Sequence, residues 1–182
     1  MTTPGSLHSD AREVLTRWTP PTTEQERLRD EYVALLDAEP HATERSCFPA
    51  HLTAGVLVVG HDRRSVLLNL HRKSRRWFHF GGHLEAGDVT LAAAALREAH
   101  EESGLSDLVV GGEPLHLSRH TVGFCDARGP VDHLDVRFLA SVDSEATPAV
   151  SSESLDVRWW SLDELPTDEP DMTELVSLAL GA

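Results

Sequence analysis

The stretch from residue 78 to residue 105 constrains the fold more than any other part of the chain. It reads FHFGGHLEAGDVTLAAAALREAHEESGL, and its second half predicts a helix over residues 90–103 with Gly104 as its C-terminal cap. Small alanines share one side of this helix, which lets it lie close against a sheet. Gly81-Gly82 precede the helix, and we expect this pair to form a loop whose backbone approaches its neighbours closely.

Three acids crowd the far end of the predicted helix. At about 100° per residue, Glu98, Glu101 and Glu102 share one face, where each near pair is repelled by a few tenths of a kcal/mol. The helix dipole also disfavours acids near a C-terminus. A solvated charged face is the alternative interpretation, but the glycine pair and Arg97 favour a bound cation. Oxygen ligands at this density suit Mg²⁺ or Mn²⁺, and Arg97 can orient a carboxylate.

Composition and charge narrow the class of partner. The 182 residues include 16 Lys and Arg against 30 Asp and Glu, a formal net charge of −14. No net positive field would attract nucleic acid or an acidic membrane, whereas a small phosphate-bearing molecule can bind through a divalent cation. The longest apolar stretch, AGVLVVG, is too short to span a bilayer, and the N-terminus lacks a signal-peptide pattern. We therefore expect a soluble, cytoplasmic protein, with Cys47 and Cys125 as free thiols.

The rest of the chain predicts helices at both ends and strands between them. Residues 8–38 read as two helices separated by TPPTT, with Thr22 or Thr23 capping the second. A closing amphipathic helix is predicted from DMTELVSLALG. Between these, strand-like segments rich in Val, Leu and Thr are HLTAGVLVVG, RSVLLNLHR, RWFHF, LVVGGEPLHLSRHTVGF, VDHLDVRFLASV and ESLDVRWW.

This order of elements predicts an α/β (α+β) fold in which a mixed β-sheet is sandwiched between helices. We divide the chain into a helical N-terminal extension, residues 1–46, and a main domain, residues 47–182. The role of the extension is left open between capping a site, forming a dimer interface and covering the sheet.

The segment GGHLEAGDVTLAAAALREAHEESGL resembles the Nudix box. That pattern is Gly, five residues, Glu, seven residues, then Arg-Glu-aliphatic-x-Glu-Glu-x-Gly-aliphatic. The resemblance extends in texture from about His51 to Pro166. The matching positions are Gly82, Arg97, Glu98, Ala99, Glu101, Glu102, Gly104 and Leu105.

The segment departs from the pattern at its first acid. Asp88 stands where the pattern has Glu, and eight residues instead of seven separate it from Arg97. One extra helical residue would rotate Asp88 by about 100°, so we expect it to precede the helix. Asp88 or Thr90 would then be the N-cap, and a direct catalytic role for Asp88 is not expected.

The resemblance implies a Nudix pyrophosphohydrolase, which hydrolyses a diphosphate bond in a nucleoside diphosphate derivative by attack of metal-activated water on phosphorus. It implies Mg²⁺ (or Mn²⁺) held by Glu98, Glu101, Glu102 and the carbonyl of Gly81. Those three glutamates and Arg97 would form the catalytic set. The general base is left open among Glu98, Glu145 and Glu153.

Two other functions remain open at this stage. One is a catalytically silent Nudix-like sensor that binds a nucleotide, which the intact glutamates disfavour. The other is a prenyl diphosphate isomerase, which would need a catalytic cysteine that the sequence does not place. The sequence does not identify the nucleotide, and it predicts a homodimer only as one of the open roles of the N-terminal helices. Side chains that can surround a cleft or pack in the core are His79, His83, His120, His133, Trp77, Phe78 and Phe124.

Overall fold

The structure, a computed structural model, describes residues 6–143, 145–152 and 154–181. One sheet of eight strands forms its centre. The helices are α1 (Leu7–Arg17), α2 (Thr23–Ala38), α3 (Leu91–Ser103) and α4 (Pro170–Gly181). The strands are β1 (Ala50–Gly60), β2 (Ser65–His71), β3 (Trp77–Phe78), β4 (Phe80–His83), β5 (Val109–Val110), β6 (His116–Asp126), β7 (Gly129–Val142) and β8 (Ser154–Ser161).

Strand β1 organises the sheet. It pairs in parallel with β7 along its whole length, from Ala50 opposite Asp132 to Gly60 opposite Val142. On its other side it pairs antiparallel with β4 and then with β2. Strands β5 and β6 extend the sheet from β7, and β3 and β8 extend it from β2. The short strand β4 therefore lies directly beside the central strand.

Alternation along β1 builds two cores, one on each face of the sheet. Ala54, Val56 and Val58 point to the face covered by α1, α2 and α3. Leu57 and Val59 point to the opposite face, where they pack with Val66, Leu68 and apolar residues of α4. Helices thus cover both faces of a mixed sheet, which confirms the predicted α+β class.

The predicted helices are confirmed, and two predictions about the segments between them were wrong. Gly81 and Gly82 do not form a loop but lie in β4, opposite Gly55 and Ala54 of β1. Two glycines in sequence are typical of a loop, whereas this pairing depends on a strand that lies far away in the chain. The segment predicted as one strand over residues 108–124 is divided into β5 and β6.

The N-terminal helices cover one face of the sheet and contact α3. Thr22 caps α2 as predicted, because its side chain accepts from the backbone N–H of Gln25. Asp10 of α1 accepts a hydrogen bond of 2.8 Å from the N–H of Leu91, a donor that the first turn of α3 leaves unpaired. In the described part of the chain, every helix is too short or too polar to cross a membrane.

Gln25 joins α2 to the outer edge of β6. It is 1% exposed, its side-chain amide donates to the carbonyl of Leu117 at 2.9 Å, and its oxygen accepts from the N–H of Leu117 at 2.6 Å. Both backbone groups of an edge residue are satisfied by one side chain.

We expect Gln25→Ala to lower the free energy of unfolding by about 2–4 kcal/mol, because two buried backbone groups would lose their partner. Urea unfolding followed by circular dichroism measures this change. The exposed neighbour Glu24 is the control, and Glu24→Ala should change stability by less than about 0.5 kcal/mol. Equal stability of the two variants would contradict this role for Gln25.

Candidate active site

Helix α3 has the ends that its sequence predicts. The Thr90 side chain accepts from the N–H of Ala93 at 3.0 Å, and Gly104 at the other end has a φ of 69°, which favours glycine. Asp88 precedes the helix, so the extra residue of the motif is accommodated before the first turn. Thr90, and not Asp88, is the N-cap.

The last turns of α3 lie against the glycine pair of β4. A Cβ atom added to Gly82 would lie 2.7–2.8 Å from the carboxylate of Glu98. The N–H of Gly81 donates to the carboxylate of Glu102 at 3.1 Å. Two acids of the helix therefore contact the backbone of one short strand, and glycine is needed at residue 82 because a side chain would displace Glu98.

Arg97 donates hydrogen bonds to the acidic side chains around this contact. Its Nε and Nη2 donate to the two oxygens of Asp88, each at 3.0 Å. Its Nη1 donates to Glu98 at 2.9 Å and to Glu101 at 3.2 Å. Nη2 also donates to the backbone carbonyl of His83 at 3.0 Å, so one guanidinium connects α3, the loop before it and the end of β4.

The three glutamates of α3 differ in exposure. Glu102 is buried, and the Glu98 side chain is only 15% exposed, whereas the Glu101 side chain is 58% exposed. A solvated charged face therefore describes Glu101 but not the other two. Glu98 and Glu102 form the inner pair, and Glu101 lies at the rim.

The ionisation of Asp88 follows from its partner. Burial by itself would raise the pKa of Asp88, but the hydrogen bonds from Arg97 and from the N–H of Glu85 hold this pKa below its ordinary value. The hydrogen bond with Asp88 in turn raises the pKa of Arg97. Asp88 therefore stays a carboxylate, occupied by Arg97 and by the loop, and is not available as a general base.

The last turns of α3 contact the glycine pair of β4 along what we call the α3–β4 seam. The oxygen ligands at this seam suit a hard divalent cation. Glu98 and Glu102 present carboxylate oxygens beside a strand whose glycines add no bulk, and Glu101 offers a third carboxylate at the rim. Mg²⁺ and Mn²⁺ prefer such oxygens and usually keep several waters. The residues present therefore fit the predicted ion.

The other candidates for the general base are not brought to this seam by any described contact. Glu145 is exposed in the segment between β7 and β8, and Glu153 lies outside the described residues. Glu98 therefore remains the candidate that the geometry places beside the glycine pair.

Most of the aromatic residues that could have surrounded a cleft pack against the apolar cores instead. Trp77 contacts Trp160, with ring centroids 5.1 Å apart, and both belong to the α4 core. Trp159 packs against the opposite core, so both tryptophans of β8 contact apolar residues. Phe124 is 72% exposed near the tip of the β6–β7 hairpin, where it is accessible for stacking.

A polar end of the sheet was not assigned from the sequence. His133, Asp135 and Arg137 alternate along β7 on one face, opposite His51, Thr53 and Gly55 of β1. Asp135 accepts from Thr53 at 3.0 Å, from His79 at 3.2 Å and from Arg137 at 2.7 Å. The sequence does contain a pattern that predicts this polar face, because every second residue from His133 to Arg137 in the segment VDHLDVRF is polar.

The buried ion pair on this face is a structural element. Burial by itself would raise the pKa of Asp135, but Arg137 and the hydrogen bond from His79 hold it well below its ordinary value. Arg137 also contacts Asp171 of α4 at 2.6 Å. Burial and the charge of Arg137 lower the pKa of His116 to about 4. Asp135 is thus ionised and paired with Arg137, and Arg137 in turn links β7 to the start of α4 through Asp171.

We expect Gly82→Ala to weaken binding of Mn²⁺ by about 10-fold or more, because the new methyl group would push the Glu98 carboxylate away from β4. The fold should survive, since the obstructing atoms are the end of a flexible side chain. Titration of free Mn²⁺ by electron paramagnetic resonance measures the affinity. Gly87→Ala is the matched control, because nothing lies within 4 Å of a Cβ atom there. Unchanged affinity in Gly82→Ala would contradict the placement of Glu98.

Comparisons with known proteins identify the family and the fold. The family model described as NUDIX domain matches residues 49–178. A search of curated proteins found no match. Three of the solved structures that resemble the chain are two hydrolases and a domain complexed with ADP ribose. A NUDIX-family hydrolase from Clostridium perfringens is 24% identical, with a TM-score of 0.56, over 72% of this chain and 98% of its own.

Two further structures carry named ligands or substrates. The E. coli dihydroneopterin triphosphate pyrophosphohydrolase is 18% identical, with a TM-score of 0.60, over 72% of this chain and 96% of its own. The NUDIX domain of Shewanella oneidensis NrtR, complexed with ADP ribose, is 22% identical, with a TM-score of 0.57, over 82% of this chain and 95% of its own. The family match and the hydrolases among these structures support the prediction of a Nudix pyrophosphohydrolase. With the family model covering most of its length, the chain belongs to the NUDIX-domain family.

Proposed function

We propose that the protein hydrolyses a diphosphate bond in a nucleoside diphosphate derivative, with Mg²⁺ or Mn²⁺ bound at the seam between α3 and β4. One observation carries this proposal. Glu98 and Glu102 are turned out of solvent toward a glycine pair, and a divalent cation beside them would offset the free energy that burial of two neighbouring carboxylates costs.

The charge of the molecule supports the need for a cation. The chain has a formal net charge of −14 and would repel a diphosphate. When bound, a divalent ion neutralises phosphate charge and lowers the pKa of water that it coordinates. The three glutamates, with the carbonyl of Gly81, are the groups of this chain that would hold the ion.

The residues of this chain have separate roles in the proposed reaction. Glu98 and Glu102 present oxygens from the inner side of the seam, and Glu101 presents its carboxylate from the rim. Arg97 fixes the orientation of Glu98 and Glu101 through its hydrogen bonds. Glu98, placed against Gly82, is the carboxylate that accepts the proton of the attacking water.

A nucleotide-binding sensor without activity is the second candidate. The NrtR domain was solved with ADP ribose bound, so the fold also occurs in complexes with such ligands. The inner glutamate pair and its arginine favour hydrolysis in this chain, since a silent module has no need to bury these acids.

The substrate class is proposed from chemistry alone. Two matched structures are named with nucleoside diphosphate derivatives, Ap4A and ADP ribose, and a third is named with another phosphate-chain compound, dihydroneopterin triphosphate. We further propose that residues 1–46 are an extension of a domain at 47–182, which is supported by a family match that begins at residue 49. The homodimer and the cytoplasmic location stay predictions.

The proposal is tested by assaying a nucleotide panel of sugar nucleotides, oxidised nucleoside triphosphates, dinucleotides and ADP-ribose. Phosphate release after a coupled phosphatase is measured with and without Mg²⁺. Turnover that depends on the ion is expected for at least one member. Tight binding without turnover would favour the sensor, and no uptake of Mg²⁺ or Mn²⁺ in calorimetry would contradict the proposal.

We expect Glu102→Gln to lower metal-dependent turnover by more than about 100-fold. Removal of a residue that only hydrogen-bonds to a metal ligand already lowers metal affinity or activity by about 10- to 100-fold, and Glu102 is proposed as a ligand itself. The amide oxygen of glutamine can still accept from the N–H of Gly81, so the free energy of unfolding should change by no more than about 1 kcal/mol. The exposed Glu113 provides the control variant Glu113→Gln, which should keep full activity. Wild-type turnover in Glu102→Gln would show that the metal assignment is wrong.

We expect Asp88→Asn to have a smaller effect, a loss of about 10-fold in turnover, because Asp88 acts on the site through Arg97. Asparagine keeps one oxygen for the guanidinium and loses the second. Steady-state kinetics on the two variants side by side measure the difference. A loss as large as that in Glu102→Gln would mean that Asp88 contacts the ion or the substrate directly.

A further inference from the structure

A second cluster of metal-ligating side chains lies at the polar end of the sheet. His51 of β1, His83 of β4, His133 of β7 and Cys125 of β6 place their ligand atoms within 4.8 Å of one another. None of these residues belongs to the acidic set on α3. The cluster therefore needs an explanation of its own.

The register of the sheet brings the three histidines together. His51 and His133 lie directly opposite each other in the parallel pair of β1 and β7. His83 pairs with Thr53, two residues along β1 from His51, and side chains two residues apart share a face of a strand. The imidazole ring centroids lie 4.9–5.2 Å apart in all three pairs.

Cys125 reaches the cluster because β6 is irregular near its end. Val122 pairs with Val131 and Asp126 pairs with Gly129, so residues 123–125 of β6 face only Pro130 of β7. Strict alternation from His120 would turn residue 125 to the other face. The irregularity re-aims the thiol toward the histidines, as bulges beside functional sites commonly do.

The distances from the thiol to the three imidazoles are close to those between the ligands of a tetrahedral zinc site. Cys125 Sγ lies 3.3 Å from His133 Nε2, 3.4 Å from His83 Nε2 and 4.0 Å from His51 Nε2. Around tetrahedral zinc, with Zn–S of about 2.3 Å and Zn–N of about 2.0–2.1 Å, sulfur and nitrogen are about 3.6 Å apart. Only small side-chain adjustments separate the two arrangements.

The protonation of the imidazoles also suits an ion. His51 Nδ1 lies 3.0 Å from the carbonyl of Cys47, so it carries the proton and leaves the lone pair of Nε2 directed at the cluster. Neutral imidazole is the form that binds metals.

Hydrogen bonding alone accounts poorly for this convergence. One thiol offers a single weak donor and weak acceptors, yet three imidazole nitrogens are directed at it. We propose that His51, His83, His133 and Cys125 form a closed, four-coordinate site for Zn²⁺, distinct from the carboxylate site for hard cations on α3. Thiolate and imidazole together select zinc over Mg²⁺, and four protein ligands are typical of a structural site.

The site holds the end of β4 in place. His83 directly follows Gly81-Gly82, and Arg97 binds its backbone carbonyl at 3.0 Å. An ion shared by β1, β4, β6 and β7 would fix the strand on which Glu98 and Glu102 rest. Zinc loss is therefore expected to lower stability first and to weaken the carboxylate site through β4.

The test uses the full-length chain without an affinity tag. Elemental analysis measures zinc in the purified protein, and Co²⁺ is then exchanged into the site as a spectroscopic probe. We expect about one zinc ion per chain, tetrahedral cobalt absorption and a thiolate-to-cobalt charge-transfer band. Cys125→Ser should remove that band, and His133→Ala should lower zinc affinity by at least about 100-fold in competition with a chelator.

Matched variants separate this site from its surroundings. Cys47→Ser changes the other free thiol, and His120→Ala removes an exposed imidazole whose ring centroid is 5.4 Å from that of His133. Both should keep the metal and the band. Glu102→Gln should also keep zinc, so failure of the proposed hydrolase activity would leave this result unaffected.

Two results would overturn the site. One is wild-type protein that retains less than roughly a tenth of an equivalent of zinc after incubation with the ion. The other is bound zinc whose X-ray absorption spectrum shows no sulfur ligand. The absorption measurement needs only the wild-type chain, so it decides the question even if Cys125→Ser or His133→Ala fails to fold.

Discussion

The arrangement of acids around Arg97 is the constraint on which the rest of this structure depends. Without that guanidinium, Asp88, Glu98 and Glu101 would repel one another at the seam of α3 and β4. Arg97 has the planar fork that binds several carboxylates at once, a geometry that lysine does not offer. Because Arg97 also binds the carbonyl of His83, the position of the acids and the position of β4 are set together.

The acids of α3 alone would not form a site, and the fold places the backbone of β4 closely beside them. Strand β4 is only four residues long, and its two glycines pair with β1 at the centre of the sheet. Helix α3 is held from its other end as well, since Thr90 caps it and Asp10 of α1 binds the N–H of Leu91. Glu98 and Glu102 are thus positioned by rigid elements and not by a loop, which favours precise ligand geometry.

Features with local signals were predictable from the sequence, and features that depend on strand register were not. Gly104 and the threonine before α3 mark its ends within a few residues, and the spacing of the acids places them on one side. The pairing of Gly81-Gly82 with β1 was missed, because two glycines carry no strand signal of their own. The difference between buried Glu102 and exposed Glu101 also required the position of β4.

Strand β4 separates two kinds of donor chemistry within three residues. Gly81 and Gly82 face the carboxylates of Glu102 and Glu98, which are hard oxygen donors, while His83 turns its imidazole toward Cys125 and away from the helix. Softness of the ligands keeps the two sets from competing for one ion, since Mg²⁺ binds poorly to thiolate and zinc prefers sulfur and nitrogen here. A short strand clamped on one side by Arg97 and on the other by the histidine cluster has little freedom to move. In the proposed function, that restriction would let the two buried glutamates present a fixed geometry to a cation and its phosphate ligand.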